Sequence, residues 1–174
     1  MVELQQFVRN DCKDKEEFKK VDEIANLLFV QMNSPKVLRA IEKADQPGVS
    51  SAKVQAALLE PATSLDFVSE KKGLFSDYAV SALRPDYYRS IGDSGILLEV
   101  ERGKTTINNM DLLDFWKCHI CPSADYLFLM VPKSLRQNLT MRPRNEFSSV
   151  VNRLGVFFES KNYTGVRALY VFGY

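Results

Sequence analysis

Apolar positions follow a helical period through the first third of the chain and a strand-like one after it. From residue 14 to 33, Phe18, Val21, Ile24, Ala25 and Leu28 recur every three or four positions while charges fill the rest, which predicts a helix. Ser34-Pro35 supplies an N-cap and a first-turn proline for a second helix, expected to stop near Gln46-Pro47-Gly48. Ser50 or Ser51 caps a third helix, expected to end before Pro61. From about residue 65 to 101 aromatic and branched residues alternate with turn formers, and the reading places one strand within Leu74–Leu83, a second over Asp86–Ile91 and a third over Ile96–Glu101. Gly92-Asp93-Ser94-Gly95 joins the last two as a hairpin reversing about Asp93-Ser94.

Beyond the hairpin, Ile107, Met110, Leu113, Phe115, Trp116 and Ile120 mark a helix over 107–120. The run YLFLMV, between Asp125 and Pro132, is continuously apolar, as suits a central strand covered on both faces. A helix over 145–160 and a final strand in VRALYVFGY complete the chain. A hairpin followed by strand–helix units implies an α/β protein with a mixed sheet and helices packed on it. The division expected is 1–62, a helical region packing on the core, and 63–174, the core itself.

Composition narrows the function classes. The 174 residues suit one domain with a real core. At 45 % hydrophobic and 26 % charged, the chain has ordinary globular values. A net charge of +1 gives no global basic field for nucleic acid, so any such partner would meet a local patch. No apolar run approaches the roughly 18 residues of a membrane span, and the N-terminus lacks a signal-peptide core. Three cysteines without disulfide-like spacing read as reduced thiols, hence the cytoplasm.

The chemistry concentrates in the hairpin. Strand side chains alternate faces, so Leu97, Glu99 and Glu101 share one side and Ile96, Leu98 and Val100 the other. Reversal about Asp93-Ser94 sets Asp86 opposite Glu101 and Tyr88 opposite Glu99, which brings three carboxylates to one face at Cβ separations of about 5 Å. Facing like charges destabilise a sheet, the more so when burial strips their water. Exposed acids on a solvated strand face are one resolution. Neighbouring bases (Arg84, Arg89, Arg102, Lys104) are a second. A divalent cation is the third, and clustered hard oxygen donors suit Mg²⁺ or Mn²⁺.

Pro85-Asp86, a turn, then Ile96-Leu97-Leu98-Glu99-Val100-Glu101 resembles the PD-(D/E)XK nuclease superfamily, which includes many type II restriction endonucleases. The resemblance covers roughly residues 65 to 172. It implies a restriction-endonuclease-like fold with an N-terminal helical extension, and Mg²⁺-dependent hydrolysis of DNA phosphodiester bonds. Asp86 matches the first metal-binding acid, Glu99 the second, and the carbonyl of Val100 would complete the inner shell. Glu101 stands where the family usually carries lysine, a Glu-x-Glu variant of the motif. Glu101 would then act as base or second-metal ligand, with Lys104 supplying the missing positive charge and Lys117, on the following helix, in reserve. Cleavage of both strands would use two such sites, hence a homodimer. The alternatives are a catalytically inactive nuclease-fold module that binds nucleic acid or protein, and a hydrolase of another phosphoester.

Other motifs carry less. Cys118-His119-Ile120-Cys121 looks like half a zinc site, but Cys12 is the only other cysteine and His119 the only histidine, so thiols packed at a helix end are the competing reading. Nothing flanks that histidine like a nucleophile elbow, and without a P-loop or Gly-x-Gly-x-x-Gly nucleotide-cofactor chemistry has no foothold. Lys133, Arg136, Arg142 and Arg144 form a basic loop with no acid, read either as solvated or as gripping backbone phosphates. Residues 50–59 read as a supporting helix rather than a DNA-recognition helix, since they contain one lysine.

Overall fold

The computed structural model describes residues 1–46, 50–79, 83–103, 105–135 and 142–174. The helical period of the N-terminal third becomes α1 (Glu16–Met32), which buries Val21, Ile24, Ala25, Leu28 and Met32. Next is α2 (Pro35–Ala44), whose Ser34 side chain caps the amide of Val37. The third helix, α3 (Ser51–Ser64), buries Val54, Leu58 and Ala62 and carries Pro61 inside it. Pro61 thus does not end the helix as expected. It removes only its own N–H, and the last turn is held by Leu65 N–H bonding to Ala62 O and by the Thr63 hydroxyl reaching Leu59 O.

Six strands form one mixed sheet among the described residues: β1 (Glu3–Val8), β2 (Val68–Ser69), β3 (Tyr87–Ile91), β4 (Ser94–Val100), β5 (Tyr126–Val131) and β6 (Ala168–Gly173), in spatial order β1-β6-β5-β4-β3-β2. The strands β4, β5 and β6 run parallel, connected by α4 (Met110–Ile120) and α5 (Glu146–Gly155). This is the mixed sheet with helices packed on it that the order of elements implied. One face of the sheet packs Ile96, Leu98, Val100, Tyr126, Phe128, Tyr170 and Phe172 with the apolar sides of α1–α3. The other packs Leu97, Leu127, Leu129, Leu169 and Val171 with Phe115 and Cys118 of α4 and Val150 and Leu154 of α5.

Three differences from the sequence reading have local causes. β1 was not foreseen; its ELQQFV pairs antiparallel with β6 at the sheet edge, where half of a polar strand stays in solvent. The strand expected within Leu74–Leu83 is absent over 74–79, where turn bonds such as Ser76 N–H to Gly73 O replace a ladder and Phe75 is buried from a turn; residues 80–82 lie outside the described residues. β2 takes the outer position instead, and left-handed Asp66 and Glu70 on either side limit it to two residues. The hairpin reverses about Gly92-Asp93 rather than Asp93-Ser94: Ile91 pairs with Ser94 and Tyr87 with Leu98. Gly92 at φ +56° takes the first central position, which a side chain would strain.

Candidate active site

That register brings Asp86, one residue beyond the last paired position of β3, opposite Glu99 rather than opposite Glu101. Moving the centre of the reversal by one residue shifts every pairing by two, so each side chain keeps its face. Asp86 and Glu99 interlock: the Asp86 amide donates to Glu99 Oε2 at 3.1 Å, and the Val100 amide donates to Asp86 Oδ2 at 2.8 Å. The Gln55 side chain on α3 also reaches the Asp86 carboxylate. A cavity of about 210 Å³ between α3 and β2, lined by Gln55, Ala56, Leu59, Glu70 and Tyr87, opens on Asp86.

Glu99 shares its face with Leu97, and that face is covered by α4. Asp111, Asp114 and Lys117 are spaced three apart on α4, on one side of the helix, and all are buried. Lys117 Nζ lies 2.7 Å from Glu99 Oε1 and 2.9 Å from Asp114 Oδ1. The contact with Glu99 is an ion pair without a directed hydrogen bond, and Asp114 Oδ2 has no hydrogen-bond partner. The Glu101 carboxyl lies near Asp114, which helps to raise it, while its backbone oxygen accepts from the Tyr174 hydroxyl at 2.7 Å.

Among the described residues, four carboxyls therefore gather about Lys117. Burial, then Asp114 and Asp86, outweigh Lys117 and push Glu99 up to about 8. Burial and the neighbouring acids push Glu101 up to about 9. Burial also raises Asp86, against the stabilising Val100 amide, and raises Asp114 against Lys117. For Lys117 burial works against the charge, but Glu99 and Asp114 outweigh it and hold the ammonium above its ordinary range.

The structure therefore brings together Asp86, Glu99, Glu101 and the reserve lysine, Lys117. Lys104 lies outside the described residues, and Val100 meets Asp86 through its amide. Arg84 turns to Glu70, Arg89 to Asp66 and Arg102 to Asp45, while Lys117 faces Glu99 and Asp114. Sequence reasoning missed Asp114 and Gln55. The spacing of Asp114 and Lys117 on one helix face was the available signal for the first; nothing local marked the second.

The donors are oxygens, with two buried carboxylate oxygens lacking a hydrogen-bond partner, and this set fits a hard divalent cation in kind. Among the described residues no three Asp, Glu, His or Cys side chains are spaced to hold an ion as they stand. Lys117 occupies the position of their counter-ion. Elsewhere Cys118 and Cys121 are buried free thiols in the α4–α5 core, and His119 Nδ1 accepts from the Gly165 amide at 2.8 Å. In the basic loop Lys133 contacts Glu3 and Arg144 contacts Glu146, Arg142 is exposed, and Arg136 lies outside the described residues. No helix among the described residues is long and apolar enough to cross a membrane.

No protein-family model matches the sequence, and no curated protein matches it. Among solved structures, that of the restriction endonuclease BglII complexed with a DNA 16-mer is similar, with a TM-score of 0.51 at 7 % identity over 99 % of this chain and 77 % of that one. At that identity the likeness speaks to fold alone. The chain has a restriction-endonuclease-like α/β fold, a mixed six-stranded sheet flanked by helices.

Proposed function

We propose that the protein is a Mg²⁺- or Mn²⁺-dependent DNA endonuclease with its active site at the end of β4. One observation carries the reading: Asp86, Glu99, Glu101, Asp114 and Lys117 converge, largely buried, at the strand end from which the motif was read. Asp86 and Glu99, with the Val100 carbonyl, would hold the ion. Such an ion lowers the pKa of bound water and steadies the charge of a phosphodiester transition state. Glu101, pushed up to about 9 by burial and the neighbouring acids, would lose its proton to solvent when positive charge is bound beside it and could then, as the carboxylate, accept one from water. Lys117 takes the part first given to Lys104, because its ammonium already stands within the acid cluster. DNA as substrate draws support from the DNA-bound state of the similar BglII structure. A homodimer would supply the two sites that cutting both strands at once would use.

The test is direct. Purified protein with Mg²⁺ or Mn²⁺ should nick supercoiled plasmid, and Asp86→Ala, Glu99→Ala and Lys117→Ala should each lose the nicking while keeping the wild-type circular dichroism spectrum. Nicking that survives both acid substitutions overturns the assignment.

The second reading, a catalytically inactive binding module, is favoured by the same lysine, which already stands between Glu99 and Asp114. Calorimetric titration with Mn²⁺ separates the two: an inactive module takes up no metal at millimolar concentration.

A further inference from the structure

The catalytic assignment leaves Asp114 without a part. It is 1 % exposed, its Oδ1 lies 2.9 Å from Lys117 Nζ, and its Oδ2 has no hydrogen-bond partner. Lys117 therefore stands between two acceptors, Glu99 on the strand and Asp114 one turn back on its own helix, both within hydrogen-bonding reach. An ammonium has three donors on a flexible four-carbon stem and leans to either side with small torsional changes. Asp114 pairs with Lys117 from within α4, so that contact survives any movement of the Glu99 side chain. Glu101, the proposed base, abuts Asp114 as well.

We propose that Asp114 is a positioning residue that holds Lys117 when Glu99 turns to a divalent cation. Lys117 is then a removable counter-ion. Without metal it bridges Glu99 and Asp114; with metal it is retained by Asp114, beside Glu101. This inference rests on the metal-site reading above and adds to it a route by which the lysine makes room without leaving the site. Asp114 acts on metal binding only through Lys117.

A double-mutant cycle on Mn²⁺ affinity tests this, read by calorimetric titration of wild type, Asp114→Asn, Lys117→Met and the double variant, each first shown to melt cooperatively. Lys117→Met should bind Mn²⁺ about tenfold more tightly and Asp114→Asn about tenfold more weakly, while adding Asp114→Asn to Lys117→Met should change affinity by less than about twofold. If Asp114→Asn weakens binding equally in both backgrounds, Asp114 meets the metal directly and the proposal is overturned. An unchanged affinity in both backgrounds overturns it too. Should Asp114→Asn not fold, Asp114→Glu replaces it, with a displaced carboxylate expected to alter affinity only where Lys117 is present. A folded wild-type protein that takes up no Mn²⁺ gives a different result, since it removes the metal-site reading itself.

Discussion

Glu99 and Glu101 bind protons more tightly in the folded chain than in the unfolded one, because burial and adjacent acids disfavour their charge. Their ordinary value is 4.5, and the folded values are about 8 and about 9. Between those limits the native state holds more protons than the unfolded state, so stability falls as pH rises. The contribution is fully present below the ordinary value and is lost by the time pH passes the folded ones. Lys117, held above its ordinary range, adds no slope within this window. Calorimetric melting of the metal-free protein should thus show a melting temperature that declines from weakly acidic to weakly alkaline pH, and Glu99→Gln should flatten the decline. A flat wild-type profile contradicts this account of the buried acids. Added Mn²⁺ should raise the melting temperature most at the alkaline end, where the acids are readiest to bind it.

The hairpin is the element that makes the site, and its register rests on a two-residue reversal. Gly92 adopts φ +56°, and a Cβ placed there would meet Glu17 Oε2 at 3.1 Å. Gly92→Ala should therefore cost about 1 kcal/mol, measurable by urea unfolding. If the substitution is neutral, the reversal does not depend on a left-handed glycine. The same element shows how far pattern reading extends. Alternation in Ile96-Leu97-Leu98-Glu99 fixed which residues share a face, and that parity held in the structure. The pairing slipped by two positions because turn chemistry at Gly92, not the hydrophobic pattern, chooses the centre of the reversal. β1 and β2 were beyond the pattern: one is a polar edge strand and the other has only two residues. Pro61 was read as a stop because proline opposes continuation of a helix, yet one missing donor near a helix end is tolerated when Ala62 is fully buried beside it.

For the molecule as a whole, a net charge of +1 leaves any nucleic-acid affinity to local groups. Within the basic loop, Lys133 and Arg144 already contact acids at β1 and α5, so part of the loop's charge is spoken for. Duplex binding measured by fluorescence anisotropy should weaken with salt along a log–log slope no steeper than about −4, the value for roughly four phosphates neutralised. A much steeper slope would require more phosphate contacts than this loop provides, as in a dimer aligning two loops.

The sequence by itself determined the main helices, the β3–β4 hairpin, the two central strands after it and the placing of Asp86, Glu99 and Glu101 on one side of the sheet, because these follow from local periodicity and the alternation of side chains along a strand. Tertiary structure alone decided which charge meets those acids. Asp114 and Lys117 reach Glu99 only because α4 folds back over β4, and Gln55 reaches Asp86 only because α3 lies across the opposite face. Such meetings depend on how layers pack, and packing between elements distant in the chain leaves no periodic trace in the order of residues.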